Sequence, residues 1–176
     1  GARLLNDFTL LAAAPVERSL LFAVESWPQA LREPHASAER LNHSLLIPAA
    51  GNPRSRAWAK QLRSQYPQPA VLVNAMLQYF NRQAFYYTLK PPALGRDSID
   101  DFLFETRSGF CEHYAGAMTY VLRAAGIPAR VVTGYQGGEI NPAGNYVSVR
   151  QFDAHAWVEY WQPDLGWQSV DPTFQV

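Results

Sequence analysis

The segment 112–125 constrains this chain more than any other. It contains no proline and, apart from Gly116, no glycine, and it stops at Gly126-Ile127-Pro128. A glycine stop with proline just beyond marks a helix C-terminus. Beyond that stop the pattern turns to extended chain. Residues 129–135 carry a strand pattern, a polar loop holds Gly137, Gly138, Asn141, Pro142, Gly144 and Asn145, and 146–150 resume the strand. Residues 155–161 alternate, with Ala156, Val158 and Tyr160 on one side and His155, Trp157, Glu159 and Trp161 on the other. Pro163-Asp164-Leu165-Gly166 is a turn, 167–170 a last strand, and Asp171-Pro172-Thr173 breaks it.

Helices precede this sheet. Asn52-Pro53 reads as an N-cap followed by proline at the first helical position, opening a helix to about Tyr66. Pro69 opens a second, with Val71, Met76, Leu77, Phe80 and Ala84 as its apolar positions. The aromatic run 85–89 reads as a short extended segment, and Ser98 as the cap of a short helix over 99–105. Helices first and an antiparallel sheet last is the α+β class. Residues 7–14 and 19–27, joined at Pro15, are expected to form a β-hairpin. Residues 33–52 read as a wrapped connection with a helical turn near 38–42. The expected division is therefore 1–51, N-terminal strands and connection, and 52–176, the core.

Composition removes several function classes. Fifteen Lys and Arg balance fifteen Asp and Glu, which argues against duplex nucleic acid or an anionic membrane surface as partner. One cysteine among 176 residues excludes an internal disulfide. None is needed, because a chain of this length buries roughly 70% of its unfolded surface. No run approaches ~18 apolar residues, so no membrane span is expected in this stretch. The opening residues carry no targeting signal, and without an initiator Met an excised piece of something longer is expected. No metal is expected. The acidic run Asp97-Ser98-Ile99-Asp100-Asp101 reads as a helix start favoured by the dipole, and no His or carboxylate cluster has ligand spacing.

The lone thiol, Cys111, stands at the first turn of the constraining helix. Unpaired N–H groups and the dipole there stabilise a thiolate, and the same N–H groups can hold an oxyanion. Gly109 allows a close approach to the backbone. Position alone weighs evenly between a nucleophile and an ordinary buried thiol. A thiol nucleophile needs an imidazole. His113 lies about 200° round the helix from Cys111 and points away, and His35 and His43 sit in loop-like chain. His155 begins the aromatic strand, where a core histidine and a general base are both reasonable. Asp171 lies one strand and one turn later, and an Asp held there can fix a histidine tautomer. Asp153 is the rival orienter, a poor partner at ~6.7 Å along the strand.

The blocks Gly109-Phe110-Cys111-Glu112-His113-Tyr114-Ala115, Gly126-Ile127-Pro128-Ala129-Arg130, Val132-Thr133-Gly134-Tyr135, Asp153-Ala154-His155-Ala156-Trp157-Val158-Glu159, Gly166-Trp167 and Val170-Asp171-Pro172-Thr173 resemble, in order and spacing, the core of the bacterial transglutaminase-like superfamily. The resemblance implies a papain-like α+β fold with a Cys-His-Asp triad. By position Cys111 is the nucleophile, His155 the general base and acid, and Asp171 the orienter. It also implies an oxyanion hole made by the Cys111 N–H and a side-chain donor from upstream. Of the alternating tyrosines in 85–89, Tyr87 is chosen over Tyr86. Asn52-Pro53-Arg54, two helices and Phe85-Tyr86-Tyr87-Thr88-Leu89 resemble more closely the periplasmic portion of inner-membrane transglutaminase-like proteins. That likeness implies a membrane-anchored bacterial protein whose spans lie outside this chain. The implied activity is acyl transfer from a glutamine γ-carboxamide of a protein or peptide to an amine acceptor. Hydrolysis of the same acyl-enzyme, by a cysteine peptidase or amidase, is the alternative. A binding module that lost its activity is a third reading, against which the filled triad counts. No cofactor is expected, and a monomer is.

Overall fold

The computed structural model describes residues 2–5 and 9–175, and the chain divides after Ala30 into two compact units. In the first, β1 (Ala2–Leu4) pairs antiparallel with β2 (Leu10–Ala12), Leu4 opposite Leu10. The expected hairpin about Pro15 is not formed. Leu10–Ala12 pairs backward instead, and 19–27 contains no strand. Pro15 has no N–H to extend a ladder, and 19–27 is exposed throughout, with no buried face to hold an alternating pattern. Asp7, the start of the expected first strand, lies outside the described residues.

The second unit begins with the connection. Its helical turn is α1 (Ala38–Asn42), capped by Ser37, whose Oγ accepts the Arg40 N–H. Next come α2 (Pro53–Gln65) and α3 (Pro69–Arg82), each with proline in its first turn. The buried seam of α3 is Leu72, Val73, Met76 and Phe80, while Val71 and Ala84 are exposed. A short strand β3 (Tyr86–Tyr87) follows, then α4 (Ser98–Asp100), which widens into a π-helical turn over Asp101–Thr106. β4 (Ser108–Gly109) runs parallel to β3 and leads directly into α5 (Cys111–Ala124).

Helix α5 stops as expected. Gly126 takes φ +75°, its N–H reaches the Arg123 carbonyl and that of Ile127 the Leu122 carbonyl, both at 2.9 Å. This is the Schellman arrangement. The chain continues as β5 (Ala129–Tyr135), β6 (Glu139–Asn141), β7 (Tyr146–Ser148), β8 (Ala154–Gln162) and β9 (Gly166–Val170). The main sheet is antiparallel, in the order β5-β8-β9, with Val131 opposite Val158 and Val158 opposite Val170. The strand near 146–150, expected to partner 129–135, forms a separate hairpin with β6 instead. The Asn141 carboxamide accepts the Ala143 and Gly144 N–H groups at 3.0 Å, which folds the loop back locally and leaves β5 free for β8.

Two polar devices lock the packing. Asn52 does not cap its own helix. It is left-handed at φ 51°, and its Oδ1 accepts the N–H groups of Ile99 and Asp100 at 2.9 and 3.2 Å. Asp100, buried, accepts the Arg54 and Ser55 N–H groups at 2.9 and 2.8 Å. Each of α2 and α4 thus satisfies the other's orphan donors. Ser98 lies inside its helix rather than at the cap. The second device is Glu159, on the side of β8 opposite Ala156, Val158 and Tyr160 and only 3% exposed. It accepts from Arg32, from Arg130 Nη2 at 2.7 Å and from Arg130 Nε at 3.0 Å. Arg130 also lies 4.1 Å over the Trp167 ring. Residues 32–34 are tied to the same sheet edge, for Trp167 N–H donates to the Arg32 carbonyl and Trp161 Nε1 to that of Glu33.

Burial pushes the Glu159 carboxyl up, but hydrogen bonds from Arg32 and Arg130 overcome it and hold the group below its ordinary value. The stabilisation is therefore present above the unfolded-state pKa of about 4.3 and lost as pH falls through the folded value. Glu159→Ala is expected to cost ~3 kcal/mol at pH 7, because it leaves two guanidiniums without their partner. Urea unfolding should show the gap between wild type and variant closing as pH drops below about 4.

Candidate active site

The β4–α5 elbow presents the thiol. Phe110 is extended, at φ −117° and ψ −177°, and Cys111 is the first helical residue. Gly109 serves packing at this elbow. A Cβ there would stand 2.7 Å from Cβ and Cγ of His113 and 3.0 Å from the Phe102 ring. His113 packs edge-on to Phe110 at 4.5 Å and accepts the Phe110 N–H at Nδ1, 3.4 Å away, so it braces the elbow from behind. His35 and His43 are exposed, with His35 3.8 Å from Asp164.

Strand β8 presents the imidazole. His155 Nε2 lies 2.6 Å from Asp171 Oδ2, and both side chains are 13% exposed. Asp171 Oδ1 accepts the Thr173 N–H at 2.9 Å and its hydroxyl at 2.6 Å. Both carboxylate oxygens are therefore engaged, and Nδ1 is the ring nitrogen left for proton exchange. Asp153 turns elsewhere, accepting the Arg150 N–H at 2.8 Å. Thr173 and Trp157 are the site residues that sequence reasoning overlooked. Trp157 stacks beside His155, ring centroids 6.3 Å apart at 24°. Its indole crosses β5 where there is no side chain, since a Cβ on Gly134 would lie 2.7 Å from Cη2. A glycine inside a strand is the signal that could have found this contact.

Cys111, His155 and Tyr87 line one cleft of about 820 Å³. Its walls are mostly apolar and aromatic, with Phe110, Phe152, Tyr135 and Leu89 among them. Tyr87 stacks on the buried Tyr114, centroids 6.4 Å apart at 17°, and its phenol lies beside Cys111 in the cleft. Burial pushes the Tyr87 phenol up, and the neighbouring Cys111 thiol adds to the rise against a hydrogen bond from the Cys111 backbone. The hydroxyl therefore keeps its proton at neutral pH and is available to donate. Tyr86 is exposed. No group of three or more His, Cys, Asp or Glu among the described residues is placed to hold a metal ion.

The transglutaminase-like superfamily matches residues 56–172, about two thirds of the chain. The chain belongs to that superfamily. It is 64% identical over 174 residues to a protein-glutamine gamma-glutamyltransferase of Pseudomonas aeruginosa, with 99% of this chain aligned to 26% of that protein. The crystal structure of the periplasmic domain of TgpA from Pseudomonas aeruginosa bound to ethylmercury superposes with a TM-score of 0.97 at 64% identity, over 99% of this chain and 63% of that one. A putative cysteine protease from Cytophaga hutchinsonii shares the fold, with a TM-score of 0.55 at 22% identity over 81% of this chain and 44% of that one. The chain thus spans about a quarter of the Pseudomonas transferase and under two thirds of the solved domain. Among the described residues no helix is long and apolar enough to cross a membrane.

The contact between Gly134 and Trp157 is testable by a mutant cycle. Gly134→Ala is expected to cost about 1–3 kcal/mol by overpacking. In a Trp157→Ala background the same change should cost under about 0.5 kcal/mol in urea titrations, since the clash is then gone.

Proposed function

We propose that this chain is the catalytic portion of a protein-glutamine γ-glutamyltransferase in which Cys111, His155 and Asp171 act as the triad. The observation that carries the reading is the His155–Asp171 pair at 2.6 Å opening on the cleft that also holds the helix-terminal thiol. The Cys111 thiol gives its proton to His155 Nδ1 and its sulfur attacks the side-chain carbonyl carbon of a glutamine. The oxyanion is held by the Cys111 N–H and the Tyr87 hydroxyl. His155 returns the proton to the leaving nitrogen, the C–N bond breaks, and ammonia departs from a thioester. An acceptor amine then gives a proton to His155 as it attacks. The C–S bond breaks, the sulfur is reprotonated, and an isopeptide bond remains. Asp171 holds the imidazole in one tautomer and supports its charge.

The aromatic walls support transfer over hydrolysis, because a dry acyl-enzyme favours an amine over water. The acyl donor is a protein or peptide, in keeping with the Pseudomonas relative's name. The 64% identity to a periplasmic domain supports a periplasmic location, in a bacterial protein anchored in the inner membrane by segments outside this chain. The catalytic core is the region from residue 52 onward, working as a monomer and without metal or cofactor.

Incorporation of a fluorescent primary amine into a glutamine-bearing protein, run beside cleavage of that protein's peptide bonds, tests the reading. Cys111→Ala and His155→Ala should each lose more than about 10³-fold in turnover, and Asp171→Ala less. A Cys111→Ala protein that keeps more than about a thousandth of wild-type activity overturns the nucleophile. Cleavage without amine incorporation replaces transfer by hydrolysis. Tyr87→Phe should lower kcat by roughly 10²–10³-fold with KM unchanged, and a normal kcat removes Tyr87 from the oxyanion hole.

A further inference from the structure

The cleft carries a charge that neither the triad nor the oxyanion hole uses. Glu112 follows the nucleophile in α5, is exposed, and lines the cleft beside Cys111. Among the described residues it has no ion pair and no side-chain hydrogen bond. This sets it apart from the other acidic groups around the site. Asp171 is spent on His155 and Thr173, and Asp153 on the Arg150 backbone. Among the described residues no Lys or Arg lines the cleft. Arg150, whose guanidinium lies 6.0 Å from the Phe152 ring, is paired with Glu139 at 3.0 Å. An aromatic cleft whose one uncommitted charge is a carboxylate attracts a cation with an apolar stem. Low-dielectric walls focus that field, and aromatic faces add to it.

We propose that Glu112 forms the acceptor subsite of this enzyme and that the ligand it selects is a protonated aliphatic amine, such as a lysine side chain or an alkyl diamine. The proposal rests on the transferase reading above. The aliphatic stem packs along Phe110 and Phe152 while Glu112 raises the local concentration of the ammonium beside the thioester. Before attack the ammonium releases one proton to solvent. The neutral amine passes a second to His155 as the C–N bond forms and the C–S bond breaks, and His155 returns that proton to the Cys111 sulfur. Glu112 takes no proton and makes no bond. Its effect is on acceptor binding, and an acceptor without charge gains nothing from it.

The experiment compares two acceptors on the same acyl-enzyme at pH 7, cadaverine, which is cationic, and hydroxylamine, which is uncharged. Each is followed by mass spectrometry of a glutamine-bearing donor peptide. Glu112→Gln is expected to lower the cadaverine-to-hydroxylamine ratio of kcat/KM by about three- to tenfold, through KM for cadaverine. Glu112→Asp, which keeps the charge, should recover most of the ratio. The wild-type ratio should also fall as salt rises from about 0.05 to 0.5 M, where screening removes the attraction. A helix-capping role for Glu112 would lower both acceptors together, so an equal loss overturns the proposal, as does an unchanged ratio. A wild-type protein that hydrolyses the donor but transfers it to neither amine overturns the transferase reading itself, a result distinct from transfer that ignores Glu112.

Discussion

Helix α5 and strand β8 pack their buried residues into one core, Tyr114, Ala117, Met118 and Val121 from the helix with Ala156 and Val158 from the strand. The site depends on that contact, because the thiol sits at the first residue of one element and the imidazole near the start of the other. Neither residue is held by its own neighbours alone. The helix brings the positive end of its dipole to Cys111, and the sheet brings Asp171 to His155. The packed interface between them, close to crystal density, keeps the two halves in register. A loosened interface would leave the local chemistry of each residue unchanged and still separate them.

The polar locks bear on the same geometry from outside. Glu159 draws Arg32 and Arg130 onto the far end of β8, and the mutual capping of α2 and α4 fixes the helices against which α5 lies. Both are buried and fully partnered, and a buried charge needs its partners to be tolerated at all. They give the core a unique arrangement where apolar packing alone tolerates alternatives. Trp157 works at closer range. It lies beside the imidazole, and the missing side chain of Gly134 is what lets it lie there.

The cleft divides its tasks by residue type. The carboxylate proposed to orient the imidazole is held twice over, Asp171 by His155 and by Thr173. Other residues lining the cleft are exposed, Glu112, Phe152 and Tyr135 among them. Such a division suits a two-step transfer, in which the catalytic atoms stay fixed while a large donor and then an acceptor exchange places above them.

Much of this protein was legible before any coordinate. The glycine stop after α5, proline in the first turns of α2 and α3, and the alternation in β8 are local signals, written in residues adjacent along the chain. The cysteine at a helix start and the Asp after the last strand are local in the same sense, so both could be picked out as candidates, and the resemblance to the transglutaminase-like superfamily joined them with His155 into a triad. Side-chain partners remote in sequence could not be. Asn52 and Ser98 looked like caps for the helices they open, yet the donors Asn52 satisfies belong to a helix more than forty residues away. The alternation put Glu159 opposite Ala156 and Val158 but could not show that two distant arginines partner its buried carboxylate. The strand near 146–150 found its partner in β6, inside its own loop, because pairing follows loop closure as well as pattern. The sequence by itself determined the helices α2, α3 and α5 and the strands β5, β8 and β9, since backbone preference and periodicity act within a turn or two. Which polar groups meet, which strand takes which neighbour, and whether thiol, phenol and imidazole share one cleft were decided only by tertiary structure, because each requires groups far apart in the chain to give up water together.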